Sequence, residues 1–271
     1  MIPMAVAVVL LTVFAIVEKR FAMVEKREGT AGRALVPFRL FRSRAVTGAN
    51  LSMMMVGGAI FAMWLFLSLY MQEVLHFSPL ITGVGFLPQT FAIAVAAQVA
   101  ARIVPRVGPR PPLLAGVALA TVGLAWLSRL SPTGNYVNDV LGGSVLATLG
   151  LGLSMTPLAF AATAGVAREE AGLASGLLNT SRQVGGSVAL AALATIAAAR
   201  TAAVLHPHGP AVAAYVGRAA MDRALTSGFN RVFLVSAFIA FGGFLAALLI
   251  PRQPAAGAAQ AAKAAAPVAV E

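Results

Sequence analysis

Residues 51–70 read LSMMMVGGAIFAMWLFLSLY, twenty positions without an Asp, Glu, Lys or Arg. A helix rises about 1.5 Å per residue and the hydrocarbon core of a bilayer is about 30 Å thick, so about 20 apolar residues make one crossing. A lipid-facing strand would alternate apolar and polar positions over about 10 residues. The runs Met53–Met54–Met55 and Phe61–Ala62–Met63–Trp64–Leu65–Phe66 do not alternate. Hydrocarbon offers no partner to a free peptide group, and a helix satisfies all of its own. The stretch therefore predicts a transmembrane helix.

The uncharged run around it covers 47–71, and six more follow the same pattern: 2–17, 80–101, 112–128, 140–164, 178–199 and 232–250. The run 178–199 carries one charge, Arg182. Seven spans predict an all-α class, a polytopic transmembrane helix bundle. Composition agrees: the chain is 59% hydrophobic and 11% charged, whereas soluble domains carry about 25% charged residues.

The bases divide unevenly between the two sides. Fifteen fall on one: Lys19, Arg20, Lys26, Arg27, Arg33, Arg39, Arg42 and Arg44 before the second run, Arg102, Arg106 and Arg110 between the third and fourth, and Arg168, Arg182, Arg252 and Lys263. Five fall on the other: Arg129, Arg200, Arg218, Arg223 and Arg231. Cytoplasmic connections carry the excess of Lys and Arg, which predicts an external N-terminus and a cytoplasmic C-terminus. The net charge of +11 then belongs to a membrane face. Nucleic acid is not an expected partner, since no basic patch interleaves with aromatics on a soluble domain.

Four segments follow. Residues 1–17 are read as a membrane span, shorter than a full crossing. A signal peptide is the alternative, but no basic stretch precedes the apolar run and VEKRFAMVEKR is a poor cleavage site. Residues 18–46 form a basic cytoplasmic linker, expected to lie on anionic headgroups; AIVEKR and AMVEKR within it repeat at a spacing of seven. Residues 47–250 form a six-helix unit. Residues 251–271 are an Ala-rich, disordered cytoplasmic tail. The external 200–230 connection is expected to hold a short interfacial helix near 212–224.

The chemistry available to these residues is narrow. No cysteine is present, which excludes disulfides, thiolate nucleophiles and thiolate metal sites. His206 and His208 lack a third ligand, and no HExxH, GxSxG or P-loop pattern occurs. No enzyme, metal or cofactor is expected.

Polar residues inside apolar runs are the candidates for function, because a polar group in lipid is costly and faces protein or water. Asn179, Arg182, Gln183 and Gly186 share one helix face by their i, i+3, i+4, i+7 spacing. Arg182 is 18 residues before Arg200, about 27 Å along a helix, which predicts a position near the inner interface as a cytoplasmic gate. Snorkelling of its side chain to headgroups is the alternative. Gln89 is expected about 20 Å above Arg102, beside the helix-kinking Pro88, and Ser154 near the middle of its span before Pro157. Met54, Met63 and Trp64 supply polarizable apolar surface suited to varied ligands. Met54, Trp64, Gln89 and Ser154 are the candidate substrate contacts, with ordinary helix packing as the alternative for each. Gly57, Gly58, Gly150, Gly152, Gly185 and Gly186 are expected to let helices approach closely.

ARIVPRVGPRP, residues 101–111, resembles the major-facilitator loop pattern G-x-L-a-D-r-x-G-r-k. Arg106, Gly108 and Arg110 occupy family positions as gate residues, while Ala101 stands for the first Gly and Pro105 for the Asp. A short basic connection is the alternative. EEAGLASGLLNTSRQVGG (169–186), LFRSR (40–44), SMTPLAF (154–160) and SGFNRVFLV (227–235) are similar to the EmrB/QacA-like group of fourteen-helix drug:proton antiporters. The resemblance runs from about residue 15 to 250 and implies spans eight to fourteen: one half of a major-facilitator fold plus one extra span. It further implies efflux of lipophilic small molecules in exchange for protons, with a separate N-terminal half as partner. No Asp or Glu lies within any run, and Glu73 and Asp139 stand near ends, so the titratable coupling group is expected in that other half. A non-transporting truncated remnant, or an accessory subunit docking with a partner half, is the competing reading.

Overall fold

A computed structural model of the chain describes residues 38–164, 166–205 and 217–252. The expected span 2–17, most of the linker and nearly all of the tail lie outside the described residues. Among the described residues six helices are long and apolar enough to cross a membrane: α1 (Arg44–Val74), α2 (Pro79–Val107), α3 (Arg110–Leu127), α4 (Tyr136–Thr163), α5 (Ala171–Leu205) and α6 (Arg218–Leu248). They coincide with the six expected runs from 47–71 onward. The charges that bound those runs do not end the helices, so most of the helices are longer than their uncharged stretches.

Two connections differ from expectation. The basic segment 101–111 is hardly a loop: α2 continues through Pro105 to Val107, and α3 begins at Arg110. Only Gly108 and Pro109 separate the two. Gly108 takes φ 80°, a region open to glycine at no steric cost, and its N–H closes on the Val104 carbonyl at 2.9 Å. Nor is there a separate helix near 212–224 in the part described: residues from Arg218 onward belong to α6 itself, while 212–216 lie outside the described residues.

Local signals place the ends. Ser43 caps α1, its Oγ accepting from the Val46 amide at 3.5 Å. Ser78 caps α2 in the same way, accepting from Ile81 at 3.3 Å. α2 is interrupted at Phe86 and restarts at Leu87, with Pro88 in the new first turn, where a missing N–H breaks no helical bond.

The six helices run alternately up and down. Their basic end gathers Arg44, Arg106, Arg110 and Arg168, and Arg110 donates to the Leu248 carbonyl at the C-terminus of α6, 3.2 Å away. This is a favourable place for a cation, since the last carbonyls of a helix are unpaired. At the far end, Asn230 of α6 clamps the α3–α4 connection from both directions. Its Nδ2 donates to the Leu130 carbonyl at 2.9 Å and its Oδ1 accepts from the Leu130 amide at 3.0 Å. Tyr70 of α1 donates to the Ser131 carbonyl at 2.6 Å.

α1 is the hub and packs on α4, α5 and α6; α3 packs on α4 and α6, and α2 chiefly on α4. In the most apolar part of α1, 61% of residues are buried, against 22% in α2 and 17% in α5. α2 and α5 are therefore edge helices with a side left open by the described residues. Lipid is as apolar as leucine, so helices in it associate through close fit rather than through hydrophobic exclusion of water. The fit comes from glycine. A Cβ on Gly58 of α1 would stand 2.6 Å from the Gly185 carbonyl of α5, and one on Gly123 of α3 would stand 2.6 Å from the Gly143 carbonyl of α4. Gly185 in turn lies against the backbone of Met54.

A methyl group at that crossing has nowhere to go. Gly185→Ala is expected to lower stability by about 1–3 kcal/mol, the range for overpacking. On the same helix, Gly172 and Gly176 face open space, so Gly172→Ala and Gly176→Ala should be neutral or slightly stabilising. Thermal unfolding of the three variants in detergent checks the contrast.

Candidate functional site

Two of the four candidate substrate contacts come together. Trp64 and Gln89 line a cleft of about 330 Å³ between α1 and α2, with Ser68, Phe86, Thr90 and Ile93. Trp64 is held edge-on by Phe61, ring centroids 6.0 Å apart, a favoured aromatic geometry. Gln89 is 1% exposed. Its Nε2 donates to Ser144 Oγ of α4 at 2.9 Å and, at 3.5 Å, to the Gly85 carbonyl one turn back. Nothing among the described residues donates to its Oε1. A buried acceptor without a donor is costly, and this one adjoins an aromatic-lined cleft. The cleft offers a ligand apolar and aromatic surface from Trp64, Phe86 and Ile93, while the Gln89 Oε1 is closed off behind it.

Met54 and Ser154 lie elsewhere. The Met54 backbone abuts Gly185 at the α1–α5 crossing. Ser154 is fully buried, donates to the Gly150 carbonyl at 2.7 Å and fills the space beside Gly116 of α3. Neither lines the cleft.

The α5 stripe is divided by the fold. Gly186 lies against the Phe61 ring and the stem of Arg182 against Gly57, so these two face α1. Asn179 and Gln183 are exposed on the open side. With Thr180 and Ser187, also exposed, they make a polar face at i, i+1, i+4, i+8. A stripe about 100° wide straddles the edge of the α1 contact, and spacing alone does not say which part is covered.

Arg182 packs beside Gly57, which is nine residues, about 14 Å, along α1 from Gly48, and Gly48 abuts Ala246, Leu249 and Ile250 at the end of α6. The guanidinium donates to Asn179 Oδ1 at 2.8 Å, and its Nε is buried without a partner among the described residues. Beside it, Ser181 donates to Asn50 Oδ1 of α1 at 2.8 Å, and Asn50 donates to the Val46 carbonyl at 2.8 Å. The Asn50–Ser181 pair was not singled out from sequence, although an Asn in an apolar run is itself a signal. At the basic end, Arg106 is exposed while Arg110 holds α6 as described. Gate candidates Arg106, Gly108 and Arg110 thus belong to the α2–α3 link, and Asn179, Arg182 and Gln183 to α5.

The sequence model of the Major Facilitator Superfamily matches residues 1–190. The chain is 39% identical over 204 residues to the cephamycin export protein CmcT of Amycolatopsis lactamdurans, covering 74% of this chain and 40% of that protein. It is 37% identical over 217 residues to the puromycin resistance protein pur8 of Streptomyces alboniger, covering 79% and 42%. It is 30% identical over 188 residues to the multidrug resistance protein Stp of Mycobacterium tuberculosis, covering 69% and 34%. The chain spans less than half the length of these relatives.

The Gln89–Ser144 bond makes a test of the cleft's support. Removing one partner strands the other, whereas removing both costs little. Ser144→Ala is expected to lower stability by about 1–3 kcal/mol, and Gln89→Leu with Ser144→Ala to recover most of it. A double-mutant cycle of thermal unfolding in detergent measures the difference.

Proposed function

The chain belongs to the major facilitator superfamily, and from that premise we propose that it supplies the C-terminal half of a proton-coupled exporter of lipophilic small molecules, of the fourteen-helix EmrB/QacA-like group. The family and the named relatives are transporters rather than enzymes, and a multi-pass membrane protein is the plain reading of the six helices.

One observation carries the proposal: the open side of α5 carries a polar stripe. Asn179, Thr180, Gln183 and Ser187 are exposed along it, with Val184 and Val188 exposed beside them. Such a face belongs against protein or water. In major-facilitator transporters two pseudo-symmetric halves meet around a site near the midplane, and a second half set against α5 and α2 gives these residues polar surroundings. The α1–α2 cleft would then open toward the passage between halves, with Trp64 offering apolar surface and a turn of the Gln89 amide needed to present its acceptor. The partly exposed Arg182 would face the same junction and gate its cytoplasmic side. Protons require a titratable group in the pathway, and the apolar stretches here hold no Asp or Glu, so the complementary half supplies it. The basic end faces the cytoplasm by the distribution of Lys and Arg.

The test is drug resistance in an efflux-deficient bacterial host. The chain is expressed alone and together with the first half of its puromycin-resistance relative. Resistance is expected only from the pair, abolished by a protonophore and by Arg182→Ala at normal expression. Resistance unchanged by Arg182→Ala would return that residue to headgroup snorkelling. A pair that co-purifies without conferring resistance would favour an accessory subunit.

A further inference from the structure

The far end of the bundle carries a second site, separate from the α1–α2 cleft. An open groove of about 810 Å³ lies between the outer turns of α5 and α6 and the connection after α3. Five arginines stand toward this end: Arg129, Arg200, Arg218, Arg223 and Arg231. Three of them, Arg200, Arg223 and Arg231, line the one groove, and no acidic residue is among its lining. All three are exposed. The acid next in sequence, Asp222, is turned to His76 at 3.9 Å. Arg200 uses its Nε on Ser227 Oγ at 3.0 Å, which leaves its terminal nitrogens available.

Like charges drawn into one groove repel, and an anion relieves that repulsion. Guanidinium groups match phosphate oxygens in pairs of parallel hydrogen bonds. The rest of the lining narrows the choice of anion. Leu130, Ile196, Ala199, Ala203 and Leu234 form an apolar wall continuous with the membrane-spanning parts of α5 and α6. A free phosphate has no use for such a wall, whereas a phospholipid places its headgroup at the arginines and an acyl chain along the wall. We propose that this groove binds an anionic phospholipid, its phosphate held by Arg200, Arg223 and Arg231.

The full chain is purified in detergent, supplied with phosphatidylglycerol or phosphatidylcholine, and retained lipid is counted by native mass spectrometry. The wild type is expected to keep phosphatidylglycerol in preference to phosphatidylcholine. Arg200→Gln, Arg223→Gln and Arg231→Gln should each reduce retention about fivefold, the triple variant should lose the preference, and Arg129→Gln, outside the groove, should not. Excess inorganic phosphate should leave the lipid in place. Equal retention of the two lipids by the wild type overturns the proposal, as does unchanged retention in the single variants, which stand as the test even where the triple variant does not fold. Displacement by inorganic phosphate overturns the lipid assignment in favour of a free anion.

Discussion

A bilayer offers no hydrogen-bond partner to a peptide group, and this constraint governs everything else in the chain. It makes every crossing a helix, and it leaves the helices to associate through close fit and interhelical hydrogen bonds. The close fit is achieved where α1 meets α5 at Gly58 and Gly185, and where α3 meets α4 at Gly123 and Gly143. Beside the α1–α5 crossing, Ser181 reaches Asn50 across the contact.

The same constraint makes unsatisfied groups informative. Most hydroxyls in the helices close on a carbonyl one turn back, as Ser154 does on Gly150 and Thr121 on Val117. Among the described residues four buried side chains keep a polar atom without a partner: Ser52, Gln89, Arg182 and Ser236. Two of these stand on the less covered helices, Gln89 beside the cleft and Arg182 beside the open face of α5.

Much of this was legible in the residues alone. Uncharged run length is a sufficient signal for a crossing, because hydrocarbon thickness sets it, and six runs became six helices. Charge placement predicted which ends lie together, and Arg110 on the α6 terminus is one contact that joins them. Trp64 and Gln89 could be named because a lone polar or broad aromatic residue in such a run stands out. What spacing could not supply was rotation and tilt. A helix face is known from the period, but not which neighbour covers it, so Arg182 and Gly186 went to α1 while Asn179 and Gln183 did not. Ser154 looked like a cavity residue only until α3 was set against it. The Asn230 clamp on Leu130 joins residues 100 positions apart, and no local pattern announces it.

Cysteine accessibility in intact cells tests the central claim, that these runs cross as helices with the arginine-rich connections in the cytosol. The chain has no cysteine, so single substitutions report alone. Ala167 at the basic end and Thr133 at the far end are both exposed. With a membrane-impermeant maleimide, Thr133→Cys should be labelled in intact cells and Ala167→Cys only after permeabilisation. The reverse pattern would invert the orientation, and labelling of both from outside would contradict the membrane-spanning account itself.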